Sequence, residues 1–405
     1  MLRTLCIALL MLAVIRDGSA QEKWRVLDAR NAAEMFDANV WSIKLSPNGM
    51  MLVGNNTEEI CLLDLATNDE TCLLLPDIGF FDLSYYGSPI WSPDSRYLTF
   101  AFSNSGNDGG DVVILDTELE TFTNVSNNRG EGSVQASDGF TWDQFPSYAP
   151  NGDLYFFRLK GSDPNYRLSI QRVPVGSDTI VSVMEFPQPV TRYAVMSLGA
   201  VSPDGTQFVF TLSRMDDTDL GGLWLADLTS GALRQLTTLE DAIAELPVWL
   251  DGIPPMSLFP VWTANGEGVV FLVMSLNAGA IDISFPVQNY LYVDIETGAI
   301  TPIVNLRDFP PYREADEPDE SGIIAYTRIP LDGVLSPDRS AFVYVPFTDG
   351  ESNPIAILPL PPNGEEPIFT DEVGFQESFD APNPLMSANY RALLGGWLYT
   401  FEPPV

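Results

Sequence analysis

The chain has 405 residues, with 55 Asp and Glu against 20 Lys and Arg, no histidine, and a formal net charge of −35. A field of that sign repels nucleic acid and anionic membrane surfaces and favours cations, basic proteins or neutral glycans. The preferred reading is plainer, solubility in a salty exterior, where excess carboxylates stay hydrated and salt screens their repulsion. Apolar content of 45% excludes a disordered chain, and the lack of histidine excludes Ser-His-Asp and Cys-His nucleophilic catalysis and His-based metal sites.

Residues 1–20 have the three parts of a secretory signal peptide: Arg3, the apolar run Leu5 to Ile15, and the small residues Gly18-Ser19-Ala20. The run is shorter than the roughly 20 apolar residues of a membrane span. Cys6 lies inside it without a small-residue lipobox, so no lipid anchor is expected. Cleavage is expected after Ala20, leaving residues 21–405 as one domain in a secreted or periplasmic setting, without membrane insertion. Export permits disulfides. Cys61 and Cys72 flank Asp64–Asp69, which reads as a hairpin turn, and their positions are symmetric about Ala66/Thr67. A cross-strand bond is expected there; the alternative is two reduced cysteines buried as small apolar residues.

A repeat then organises the chain. A short apolar strand ends in a turn of the form Ser/Thr-Pro/Ala-Asp/Asn-Gly: Ser46-Pro47-Asn48-Gly49, Ser92-Pro93-Asp94-Ser95, Ala149-Pro150-Asn151-Gly152, Ser202-Pro203-Asp204-Gly205, Thr263-Ala264-Asn265-Gly266, Ser336-Pro337-Asp338-Arg339 and, most worn, Ser387-Ala388-Asn389-Tyr390. Pro fixes φ, Asp or Asn bonds its own backbone, and Gly takes a positive φ. In step with these turns runs a second set of apolar strands that often end in an acid: Ile60–Leu65, Val112–Thr117, Leu168–Pro174, Leu223–Leu228, Leu291–Glu296, Ile355–Leu360 and Leu398–Pro403. Most lead through a polar turn, such as Thr229-Ser230-Gly231, into another strand. Four antiparallel strands per unit, at spacings of 46 to 73 residues, describe propeller blades. The expected fold is all-β, a seven-bladed β-propeller of four-stranded antiparallel blades. The last unit ends after its third strand, so the N-terminal segment Trp24–Asp28 is expected to supply its outer strand and close the ring, removing an open sheet edge. Six blades and an irregular tail are the alternative. Trp41, Trp91, Tyr148, Trp262 and Trp397 are expected in the core.

Ile90-Trp91-Ser92-Pro93-Asp94 and Val261-Trp262-Thr263-Ala264-Asn265-Gly266 resemble the repeats of the TolB-like (WD40-like) propeller family, a repeat type shared with the propellers of prolyl-oligopeptidase relatives. The resemblance covers nearly the whole chain after residue 20 and implies a fold, not an activity. Only about twenty residues precede the first blade, where TolB carries an α/β domain, and no stretch matches the α/β-hydrolase domain of the peptidases.

The chemistry left open is carboxylate chemistry, either an Asp/Glu pair for glycoside cleavage or oxygen-ligated calcium. The segment Asn104–Asp111 has a calcium-loop composition but lacks alternating acids and a closing Glu, so it reads as a hairpin turn. The acidic run from Glu314 to Glu320 reads as a solvated loop. No cofactor and no metal site are therefore expected, with calcium as the exception to watch. Asn55-Asn56-Thr57 and Asn124-Val125-Ser126 match the glycosylation acceptor pattern.

Strand alternation separates two faces. The Ser-Pro-Asp-Gly turns lie on one; the second-to-third turns and blade connections lie on the other and hold nearly all the length variation, in 76–88, 126–143, 186–197, 239–258, 275–289 and 307–323. Long loops of variable length on a rigid scaffold are where binding tends to be placed. These carry Tyr85, Tyr86, Trp142, Asp143, Arg192, Tyr193, Trp249, Asp251, Tyr312 and Arg313, either as a ligand-binding face or as rings wedged between blades. The leading expectation is a secreted, non-catalytic scaffold that engages a basic or neutral protein or peptide through that face. The runner-up is a carbohydrate-binding or carbohydrate-active protein.

Overall fold

The computed structural model describes residues 25–56, 58–75, 89–103, 110–126, 140–162, 165–191, 194–195, 197–212, 220–244, 255–275, 288–303, 332–345, 352–362, 368–374, 386–394 and 397–403. It is a nearly all-β chain of antiparallel sheets in sequence order. The expected signal segment and Trp24 lie outside the described residues.

Four sheets have four strands each, hydrogen-bonded in chain order. The first holds Trp41–Leu45, Met51–Asn55, Glu59–Asp64 and Glu70–Leu74. The others begin at Ala200–Val201, Pro255–Trp262 and Asp332–Leu335. Two further four-strand units, starting at Ile90–Trp91 and Phe140–Tyr148, are joined into one eight-stranded sheet by a parallel bridge between Trp142 and Gly110. The last two strands, Arg391–Leu394 and Trp397–Glu402, form a three-stranded sheet with Arg25–Asn31. That first strand pairs with Trp397–Glu402 over Arg25↔Glu402 to Asn31↔Trp397. Beyond the sheets, the described residues contain a short 3-10 turn, Ala33–Met35, and one six-residue helix, Leu239–Ala244.

The repeated turns explain why their letters recur. In six copies the Ser or Thr hydroxyl donates to the Asp or Asn two residues on, as Ser202 Oγ does to Asp204 Oδ1 at 2.6 Å. The same oxygen accepts the amide that opens the next strand, as from Gln207 at 2.9 Å. The fourth position has positive φ in all seven copies, including those where it is Ser95 (63°), Arg339 (55°) and Tyr390 (58°). Where a third strand ends in an acid, that acid has a parallel role: Asp227 Oδ1 accepts the amides of Thr229 and Ser230, and Asp64 and Asp294 act alike.

Each sheet buries both faces against its neighbours, which is why the strand runs are apolar rather than alternating. Phe157, Phe208 and Phe210 meet between the third and fourth repeats, with ring centroids 5.6 to 6.2 Å apart. Trp262 is 1% exposed and Trp91 9% exposed, as expected of core rings. Tyr148 and Trp397 are half-buried, and nothing is described of the Trp41 side chain. Cys61 and Cys72 face each other across the third and fourth strands of the first sheet and are bonded, with S–S 2.06 Å and Cα–Cα 4.0 Å.

Candidate functional site: a central cavity on the turn side

The first strands of the sheets converge, and where they run into the repeated turns they enclose a cavity of about 380 Å³. Its wall takes Ile90 and Trp91 from the second repeat, Ser147 and Tyr148 from the third, and Phe259 to Trp262 from the fifth; Pro47, Pro93 and Pro150 of three turns form its rim. Arg339, from the turn of the sixth repeat, also lines it. A volume of this size suits a small ligand or a chain end. Among the described lining residues there is no Asp, Glu or Cys.

The polar groups of the wall are mostly donors. Trp262 Nε1 is satisfied by the Ala200 carbonyl at 2.9 Å. The Tyr148 hydroxyl shares a 2.6 Å hydrogen bond with Thr99, and burial raises its pKa well above the usual tyrosine range. Trp91 Nε1 and Ser147 Oγ are buried with no hydrogen-bond partner. Among the described residues Arg339 Nη1 reaches only the Trp262 carbonyl, at 3.5 Å, and burial lowers its pKa from the ordinary arginine value.

A second cavity of about 670 Å³ lies between the second and third repeats and shares Pro93, Tyr148 and Pro150 with the first. It is more polar, with Arg96, Asp94, Asp116 and Asp178 in its wall. Arg96 and Asp116 bond each other at 2.8 Å, which holds the Asp116 carboxyl below its usual range and raises the Arg96 guanidinium.

Of the residues expected on the long-loop face, Tyr85, Tyr86, Arg192, Tyr193, Trp249, Asp251, Tyr312 and Arg313 lie outside the described residues. Trp142 and Asp143 are described, and they take the alternative of rings and charges wedged between repeats. Trp142 is 8% exposed within a core cluster with Leu159 and Tyr166. Asp143 is fully buried and gripped by Arg158 through two bonds of 2.7 Å. Nearby Asp111 accepts from Asn124 Nδ2 and Ser126 Oγ. Asn124 is thus engaged internally, and the Asn55 side chain is fully buried. The calcium-like loop and the acidic run 314–320 lie outside the described residues, apart from Gly110 and Asp111.

Among the described residues, the one grouping with metal-ligand spacing is Glu59, Cys61 and Cys72; both sulfurs are in the disulfide, so a lone carboxylate remains. No described helix is long and apolar enough to cross a membrane.

No family model matches the chain, and no curated protein matches it by sequence. Solved structures do match it. An oligogalacturonate lyase in complex with manganese aligns with a TM-score of 0.52 at 14% identity, covering 95% of this chain and 98% of that one. The oligogalacturonate lyase of Vibrio parahaemolyticus gives 0.52 at 12% identity, covering 94% and 98%. A TolB of Agrobacterium tumefaciens is more distant, with a TM-score of 0.40 at 14% identity, covering 69% and 88%. At such identities the likeness is one of fold: the chain is a nearly all-β protein of the β-propeller kind.

The central cavity was not legible in the sequence. Its residues come from six repeats, and Arg339 looks there like a lapse from Gly rather than a wall residue. The available signal was the substitution itself, a long cation at a position that favours glycine.

Proposed function

We propose that this chain is an exported, non-catalytic binding scaffold: a closed seven-bladed propeller that engages a protein or peptide. The observation that carries the reading is the central cavity, walled by Trp91, Tyr148, Phe259 and Trp262, with no acid, cysteine or histidine among its described lining residues. Aromatic walls and hydrogen-bond donors suit recognition. Glycoside cleavage by paired carboxylates needs two acids facing each other across a cleft, and this wall supplies none.

Seven blades rest on seven positive-φ turns, and closure on two joints between chain ends. Arg25–Asn31 extends the last sheet, and the Ala388 amide donates to the Pro47 carbonyl at 2.8 Å, linking the last turn to the first. The disulfide suits an oxidising compartment, secreted or periplasmic. The net charge favours a basic or neutral partner. The long-loop face, through Tyr85, Tyr86, Arg192, Tyr193, Trp249, Asp251, Tyr312 and Arg313, is proposed as a second contact surface at the opposite end of the first strands.

The test is capture of partners from the native secretome by the immobilised protein, beside a glycan array. Retention of a defined protein or peptide, at low and moderate salt, is expected. Glycan binding with no protein captured would replace this reading with the carbohydrate one.

A further inference from the structure

Resting on the scaffold reading, we infer that the central cavity receives the C-terminal carboxylate of a peptide chain whose last side chain is apolar, with Arg339 as the carboxylate anchor.

Arg339 is out of place in two ways. It occupies the fourth position of its turn, at φ 55°, where four of the seven copies have glycine. A long side chain is held in a left-handed conformation that glycine adopts freely. Among the described residues it also has no carboxylate within ion-pair distance, in a chain that has 55 of them. Of the nine described arginines, Arg25, Arg30, Arg96, Arg158, Arg167 and Arg172 each lie within 4 Å of an acid, and Arg234 and Arg391 each donate to a backbone carbonyl at 2.7 Å. Among the described residues Arg339 meets only the Trp262 carbonyl, at a distance that leaves most of its five donors unused. Its neighbour Asp338 is held by Ser336 and Ser340.

The rest of the wall fits the same occupant. Ser147 and Trp91 are 7% and 9% exposed, and each has a buried polar group without a partner. Buried unpaired groups of this kind are uncommon and call for an acceptor. The guanidinium fork matches a carboxylate with two parallel bonds. Trp91, Tyr148, Phe259 and Trp262 supply apolar walls for the adjoining side chain.

The global charge narrows the class. A net −35 repels polyanions, whereas a neutral or basic chain carries one terminal carboxylate past that field to a local cation. Small organic acids share the chemistry but lack the compensating positive groups.

The test uses the intact protein and a library of short peptides ending in Leu, Phe or Tyr, each as free acid and as C-terminal amide. Binding is read by calorimetry and by quenching of the tryptophans. Free acids are expected to bind about 10- to 100-fold more tightly than their amides, the range for a charge-assisted bond. Arg339→Gly gives the turn the residue its φ favours, so folding should be kept. It should remove the preference for free acids, so that each acid binds within about twofold of its amide. Equal binding of acids and amides, or an acid preference that survives Arg339→Gly, overturns the inference while partners captured in the pull-down keep the scaffold reading. Phenylacetate or hexanoate binding as tightly as any peptide would reassign the cavity to a small acid and overturn the peptide assignment.

Discussion

Arg158 holds Asp143 by two parallel hydrogen bonds, Nε to Oδ1 and Nη2 to Oδ2, each 2.7 Å long. The carboxylate is fully buried and the arginine 22% exposed along its side chain, so the pair sits inside the third sheet unit rather than on a binding surface. The Asp143 bond raises the guanidinium pKa, and Asp111 adds to the effect.

Removing one partner of this pair strands the other. Asp143→Ala is expected to destabilise the fold by about 3–5 kcal/mol, while replacing both partners with apolar residues of similar volume should cost less. Urea unfolding of the single and double variants measures this. A single variant within about 0.5 kcal/mol of wild type would mean that the pair is solvated.

The Cys61–Cys72 bond closes a short loop, with a sequence separation of 11. On the chain-entropy account, replacing both cysteines with Ala should lower stability by about 3 kcal/mol. Thiol counting under denaturing conditions, with and without reductant, checks the bond itself. Two titratable thiols without reductant, beyond Cys6, would refute it.

Stability should respond to acid through the turn carboxylates. Backbone amides, led by Thr67 for Asp64 and Ser230 for Asp227, hold these groups below the usual carboxylate range, as the Thr297 hydroxyl holds Asp294. A depressed folded pKa contributes stability that is complete above the unfolded value of about 3.9 and is lost as pH falls through the folded one. With no histidine in the chain, the unfolding midpoint should be flat from about pH 5 to 8 and fall below about pH 4. Measurement at about 1 M salt, where the screening length is about 3 Å, separates this from relief of the net charge. Asp227→Asn, which keeps an acceptor oxygen, should make the acid limb shallower; an unchanged limb would remove Asp227 from the account.

The pairing of Arg25–Asn31 with Trp397–Glu402 predicts slow amide exchange along the last strand. Deleting residues 25–31 leaves that strand as an open edge, so its protection should be lost and the protein should self-associate. Fast exchange at Trp397–Glu402 in the intact protein would refute the pairing.

How much was legible follows from how each feature is encoded. The third strands were readable nearly to the residue, since Leu223–Leu228 is observed as Gly222–Asp227 and Leu291–Glu296 as Gln288–Asp294. Local chemistry marks them: an apolar run, then an acid that bonds the next two or three amides. The disulfide was readable because hairpin register is set by its turn, which puts Cys61 opposite Cys72. Trp142 and Asp143 are buried although they adjoin a variable loop, because position near a loop says nothing of depth; a one-residue parallel bridge to Gly110 and the Arg158 side chain draw them inward.

By itself the sequence determined the repeat, the turn chemistry, the strand order and the acidic charge, all of which depend on residues close along the chain. Only the tertiary structure decided what the first strands enclose. Trp91, Ser147, Trp262 and Arg339 lie 56, 115 and 77 residues apart in consecutive order along the chain, and no local pattern couples them. They meet because packing of successive sheets brings the first strands of the second to fifth repeats beside the turn of the sixth, where Trp91 and Ser147 have buried polar groups without partners and Arg339, among the described residues, meets only the Trp262 carbonyl.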